Sequence, residues 1–201
     1  MFHVEPHEQH IALAEKDLLR YRDILLRWQK SVNLISNATT SNVWQRHFLD
    51  SARVFDFIPE TAKTLADFGS GAGFPGMVLA VLNKHKRLLN TIHLLESDTK
   101  KCLFLQEIKR ELKLDFVVIL NQRIEKTKLP DVDVVTARAV GKIQQLLDWG
   151  KGIISPKTTC LFLKGVSVDE ELGALKNTAR VEKIKMGTDG YLIKLEGVIY
   201  E

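Results

Sequence analysis

The segment Asp67-Phe68-Gly69-Ser70-Gly71-Ala72-Gly73-Phe74-Pro75-Gly76 constrains the chain more than any other. It follows a short apolar run, Thr64 to Phe68, and precedes a helical stretch. Glycines at 69, 71 and 73 permit positive φ and let a ligand approach the backbone, while Pro75 suits the first turn of a helix. A strand, a glycine-lined turn and a helix in that order make a nucleotide-binding turn, and such a turn belongs to an α/β sheet.

The remaining pattern agrees. From Glu8 to Val32, Ile11, Ala14, Leu18, Leu25, Trp28 and Val32 recur at three- and four-residue steps, predicting an amphipathic helix. A second helical piece, Val43 to Ile58, ends at Pro59. Beyond it, strands are expected at Thr64–Phe68, Thr91–Glu96, Phe116–Leu120, Val132–Ala137, Thr158–Leu163, Arg180–Lys185 and Tyr191–Leu195. Helices are expected to begin near Pro75, Thr99, Lys142 and Val168. Only Met186-Gly187-Thr188-Asp189-Gly190 separates the last two strands, so they should form an antiparallel hairpin. The expected chain is an α/β protein: a seven-stranded, mostly parallel sheet over residues 61–201, preceded by a helical extension over 1–60.

Phe74 stands where a dinucleotide fingerprint requires its third glycine. A bulky ring is a poor neighbour for pyrophosphate and suits a ligand without phosphates, such as S-adenosylmethionine. The amides near the helix start can take that ligand's carboxylate, and Asp67 its ammonium. Glu96 ends the second strand at the carboxyl edge, where an acid can accept both ribose hydroxyls. The third strand leads to Asn121-Gln122-Arg123-Ile124-Glu125, where an adenine could lie against Ile124.

Together, Gly69 to Gly76, Leu95-Glu96-Ser97 with Lys100-Lys101 and Phe104-Leu105, and Thr136-Ala137-Arg138-Ala139-Val140 resemble the RsmG (GidB) family of bacterial 16S rRNA guanine-N7 methyltransferases. Trp28, Asn33-Leu34-Ile35 and Arg46-His47-Phe48-Leu49-Asp50-Ser51 resemble that family's helical extension. The likeness runs from about Tyr21 to Gly165. It implies a class I S-adenosylmethionine-dependent methyltransferase fold of Rossmann-like type, with cofactor contacts at Gly69, Phe74, Ile124, Glu125 and Arg138. The implied substrate is 16S rRNA or the small ribosomal subunit.

Guanine N7 has a lone pair and no proton, so methylation there needs positioning and no general base. Arg138 follows an apolar strand on the binding edge and is the expected group that orients the guanine or a phosphate. Lys164, with Arg46, Lys100 and Lys101, could line a basic approach for RNA. His47 and Asp50, three residues apart, are expected to pair or to fix their helix. His3, His7 and His10 share a helical face but lack a second ligand cluster, so no metal site is expected.

Composition limits the alternatives. A hydrophobic fraction of 45% beside 27% charged residues describes an ordinary folded domain. The net charge of +4 and pI near 9.0 are compatible with a polyanionic partner without demanding one. No apolar run is long enough to cross a bilayer and no signal-peptide order opens the chain, so a cytoplasmic protein is expected. Cys102 and Cys160 sit in apolar surroundings as reduced thiols. No zipper or long exposed apolar face is present, so a monomer is expected. Two other readings stay open: a methyltransferase acting on another RNA, a protein or a small molecule, and an NAD-binding or catalytically silent module, which Phe74 and the closing hairpin disfavour.

Overall fold

The computed structural model describes residues 6–36, 40–130, 132–187 and 190–200. Helix α1 (Pro6–Trp28) leads into a bent helical segment made of Trp44–Leu49, wound as a π-helix, an α-turn at Asp50–Arg53 and a 3₁₀ turn at Val54–Phe57. The sheet and its helices follow as β1 (Thr64–Phe68), α2 (Gly76–Lys86), β2 (Thr91–Glu96), α3 (Thr99–Leu112), β3 (Val117–Asn121) and β4 (Val134–Arg138). They continue as α4 (Ile143–Trp149), β5 (Thr159–Lys164), α5 (Val168–Gly173), β6 (Thr178–Met186) and β7 (Gly190–Ile199). All seven expected strands form, within a few residues of their expected bounds.

The sheet order is β3-β2-β1-β4-β5-β7-β6. The first five strands run parallel, and β7 pairs antiparallel with both β5 and β6. Strand order reverses between β1 and β4, which opens a crevice at their carboxyl ends, the position where open α/β sheets bind ligands. Asp133 staples the opposite end of this pair: its Oδ2 accepts the Lys63 and Thr64 N–H groups at 2.8 and 2.9 Å and the Thr64 hydroxyl at 2.9 Å.

Helix α1 packs on the sheet face that carries α2 and α3. Ala14, Leu18, Tyr21, Ile24 and Leu25 are buried in one cluster with Met77, Leu79, Phe104 and Leu105, while Phe68, Ile143, Leu147 and Phe162 form the core of the other face. The helix stops at Trp28 instead of running to Val32, because the Gln29 side chain captures the chain that follows. Its Oε1 accepts the N–H groups of Leu34 and Ile35, each at 3.0 Å, and its Nε2 donates to the Ile35 carbonyl at 2.8 Å. Trp28 is anchored across to α3, its Nε1 donating to Glu107 at 2.8 Å.

The glycine turn depends on this packing. The Tyr21 hydroxyl donates to the Ala72 carbonyl, and Gly73, at φ +89°, leaves the space that the tyrosine fills. A Cβ on Gly73 would meet the Tyr21 hydroxyl and would lie 2.6 Å from the Met77 Cβ. Gly73→Ala should therefore lower stability by about 2 kcal/mol or more, through backbone strain and overpacking together. Urea unfolding checks this, and an unchanged midpoint would remove the role assigned to the tyrosine.

Candidate functional site

The carboxyl edges of β1, β2 and β4 surround a groove with two connected parts. One, of about 490 Å³, is lined by Gly69, Gly71, Phe74, Glu96, Lys101 and Arg138 among others. The other, of about 150 Å³, lies between Glu96, Ile124, Glu125 and Trp149. Gly69, Glu96, Ser97 and Val140 border both. Gly69 and Gly71 adopt φ of +60° and +55°, and a Cβ on Gly69 would strike the Val140 side chain at 2.7 Å. Glycine is thus required there by backbone conformation and by contact.

Glu96 is almost fully buried. Its Oε2 accepts the Gly71 N–H at 2.8 Å and its Oε1 the Asp98 N–H at 2.7 Å. Two backbone amides therefore hold the carboxylate rigid, and each oxygen keeps a second lone pair for a ligand hydroxyl. Asp67 lies fully buried beneath the turn, where Oδ1 accepts the Thr136 hydroxyl at 2.7 Å and Oδ2 has no partner among the described residues. Burial raises its pKa to about 6, against the opposing hydrogen bonds of Thr136 and Ser70. The buried carboxylate places negative charge beneath the turn, where it favours a cation in the groove above by its field and not by contact. A carboxylate on the wall at Glu96, an apolar edge at Ile124 and negative charge beneath the turn at Asp67 are features that could hold a sulfonium nucleoside.

On the other side stands a cleft of about 550 Å³, lined by residues that include Arg46, Asp50, Arg53, Lys164, Glu171 and Tyr191. It shares His47, Arg138 and Ala139 with the groove, so these three residues form the partition between the two spaces. Ala139 holds that partition with a left-handed backbone, φ +57°. The Arg138 guanidinium lies 5.0 Å from the centre of the Phe74 ring and donates through Nη1 to the Arg46 carbonyl at 3.0 Å; Nη2 contacts His47 Nδ1. His47 in turn stacks on Phe74, with ring centres 5.0 Å apart. Burial lowers the Arg138 pKa to about 10, opposed by Asp50, Tyr21 and Asp67, so the residue stays charged at neutral pH. Burial, then the charges of Arg138 and Arg46, lowers the His47 pKa to about 4, so the ring is neutral and can accept from Arg138.

The structure brings Gly69, Gly71, Phe74, Glu96, Ile124, Glu125, Arg138 and Lys101 to the groove, and Arg46 and Lys164 to the cleft. Gly73 faces Tyr21 instead, and Asp67 sits below the turn and off the groove wall. Lys100 is exposed at the start of α3, where its N–H is capped by Asp98 at 2.8 Å, and it lines none of these spaces. The Lys164 ammonium is already held by Glu171 at 2.7 Å and the Gly141 carbonyl at 2.6 Å. His47 and Asp50 do not pair with one another: His47 contacts Arg138, and Asp50 meets Arg53 at 3.4 Å. His10 lies 3.6 Å from Asp56, while His3 and the side chain of His7 are outside the described residues. No metal-binding cluster occurs among the described residues, and both cysteines are buried and unbridged.

Several contributors escaped sequence reasoning. Leu34, Ile35 and Ser36 line the groove, brought there by Gln29, and Val140 lines it beside Gly69. Tyr21 carries no signal of its own in the sequence beyond its place on the apolar stripe of α1.

The chain is similar to known proteins in sequence and in fold. The sequence model of the family described as rRNA small subunit methyltransferase G (GidB) matches residues 14–188. The chain is 43% identical over 154 residues, 77% of its length and 72% of the relative's, to the ribosomal RNA small subunit methyltransferase G of Paramagnetospirillum magneticum. Among solved structures, it resembles a SAM-dependent methyltransferase from Aquifex aeolicus with a TM-score of 0.58 at 17% identity, covering 77% of this chain and 92% of that one. It also resembles M. jannaschii TYW2 in complex with AdoMet, with a TM-score of 0.53 at 17% identity over 76% of each chain. These structural likenesses concern the fold.

The neutral His47 gives a direct check. An NMR titration of its ring should show a midpoint near pH 4. Because this folded value lies below the ordinary 6.5, the residue's contribution to stability is present above pH 6.5 and fades as pH falls toward 4. A midpoint of 6 or above would mean that the ring is solvated and that the contact with Arg138 is not made.

Proposed function

Because the chain belongs to the rRNA small subunit methyltransferase G family, we propose that it transfers a methyl group from S-adenosylmethionine to N7 of a guanine in the 16S rRNA of the small ribosomal subunit. One observation carries the reading beyond the family: a nucleoside-shaped groove and a second, partly basic cleft meet at a partition made of His47, Arg138 and Ala139. A donor on one side and an acceptor base on the other would meet there.

In this reading Glu96 accepts the ribose hydroxyls, Ile124 and Glu125 border the adenine, and the Gly69–Gly71 backbone lies along the methionine portion. Asp67 favours the ammonium from beneath, and Phe74 and Arg138 close the sulfonium end. S-adenosylmethionine, when bound, supplies an electrophilic methyl group whose departure neutralises the sulfonium. Guanine N7 offers a lone pair and no proton, so the residues here need only position the base and exclude water. Arg138 is built for that task, since Phe74, His47 and the Arg46 carbonyl restrain its fork before any substrate arrives. Guanine N7 is hidden in the narrow major groove of A-form RNA, so the target must lie in a loop, bulge or opened junction. Arg46, Lys101 and Lys164 are the basic residues placed to meet its backbone; Lys100 stands farther out. The helical extension expected over residues 1–60 contributes to both spaces beside the methyltransferase domain of residues 61–201, through Leu34 and Ile35 at the groove and Arg46 and Asp50 at the cleft. The protein acts as a cytoplasmic monomer on 16S rRNA or a small-subunit particle; no helix among the described residues is long and apolar enough to cross a membrane.

Incubation with labelled S-adenosylmethionine and either 16S rRNA, small subunits or 23S rRNA tests the reaction. Label should appear at one guanine N7 of the small-subunit RNA. Absence of label from every RNA, together with tight NAD binding, would overturn the proposal. Glu96→Ala should weaken S-adenosylmethionine binding by about 10-fold or more in calorimetry, the value of a charge-assisted hydrogen bond. Equal affinity in wild type and variant would remove the ribose role.

A further inference from the structure

We propose that Asp50 reads the target base: its carboxylate accepts the N1–H and the exocyclic amine of a guanine held in the cleft, while N7 faces the groove across the His47–Arg138–Ala139 partition. The inference rests on the methyl transfer proposed above and assigns the residue that selects its substrate.

A purine methylated at N7 must point that edge at the donor and its Watson–Crick edge away from it. Residues on the cleft side of the partition are therefore the ones able to read the base. Guanine presents two adjacent donors on that edge, and a carboxylate is the side chain that accepts both at once. Among the described residues, two carboxylates line the cleft, Asp50 and Glu171. Glu171 is committed: its Oε2 accepts the Ile143 N–H at 2.9 Å and meets the Lys164 ammonium at 2.7 Å. The Asp50 carboxylate accepts fewer hydrogen bonds, although its charge also opposes the effect of burial on Arg138. Its side chain is partly exposed, and its hydrogen-bond partner among the described residues is Arg53 at 3.4 Å, long for a charge-assisted bond. Asp50 also lies three residues beyond His47, on the same helical segment that builds the partition. A Cβ on Gly187 would lie 3.4 Å from the Asp50 Oδ1, so a glycine there adds no side chain beside the carboxylate.

The contact should also assist the reaction. As the methyl group passes from sulfur to N7, the purine gains positive charge and its N1–H becomes more acidic; no proton leaves. A hydrogen bond from N1–H to a carboxylate therefore strengthens on the way to the transition state, which raises kcat as well as selectivity. Adenine would turn the lone pair of its N1 toward the carboxylate and be rejected.

The test compares a small-subunit RNA carrying guanosine at the target with the same RNA carrying inosine, which keeps N7 and N1–H and lacks the amine. Wild type should prefer guanosine in kcat/KM by about 10-fold, the value of one charge-assisted hydrogen bond. Asp50→Ala should lower kcat/KM on guanosine by about 10-fold or more and bring the two RNAs to near equality, with a smaller change in S-adenosylmethionine affinity. Asp50→Asn, nearly the same shape, should fall between and keeps the test valid if the alanine variant folds poorly. Arg53→Ala should retain the preference for guanosine. Equal losses on both RNAs, or an Arg53→Ala variant that matches Asp50→Ala, would reduce Asp50 to a helix-stabilising residue and overturn the assignment. Wild type that methylates neither RNA would instead overturn the proposed reaction, and this inference with it.

Discussion

The ring of Phe74 is where the helical extension, the glycine turn and the central sheet meet. Tyr21 stacks at 5.7 Å, His47 stacks at 5.0 Å, Phe48 packs edge-on at 5.2 Å, and the Arg138 guanidinium lies at 5.0 Å, all measured to the ring centre. A buried aromatic ring must have its surfaces filled, because an unfilled surface loses dispersion contacts that nothing replaces. Its neighbours come from α1, from the bent segment and from β4. The extension therefore shares a core with the turn that shapes the groove, and one cannot be ordered without the other.

Charge follows from that packing. Arg138 is driven into a poorly hydrated position, where its charge is offset by Asp50 and Asp67 and its donors are taken by a backbone carbonyl and a neutral histidine. Burial keeps the histidine neutral, and neutrality lets it accept. A protonated imidazole beside a guanidinium would place two positive charges in contact at low dielectric. The partition between the two clefts is thus a restrained cation in front of an aromatic face, and its geometry is set before any ligand arrives.

The winding of residues 44–49 as a π-helix belongs to the same account. A π-turn shifts the side chains that follow it relative to a regular helix, and such turns occur often at functional sites. Here His47 faces Phe74 and the groove, while Arg46, Asp50 and Arg53 line the cleft. The spacing of His47 and Asp50 suggested an i, i+3 pair, but the two residues look toward different neighbours. No rule of helical periodicity reveals that from the residues alone.

Much of the architecture was nonetheless written locally. Apolar runs of strand length, the glycines at 69, 71 and 73, and the short Gly-containing link at 186–190 specify β-α alternation, the glycine turn and the final hairpin through backbone preference and side-chain period, which act over a few residues. The position of Glu96 on the groove wall was legible for the same reason: a strand end beside a glycine turn has a known position. Strand order, the burial of Asp67, the turning of Gly73 toward Tyr21 and the seating of Arg138 against His47 were decided only in three dimensions. They depend on which faces of distant segments bury one another, and that choice is made by packing and desolvation summed over the whole core.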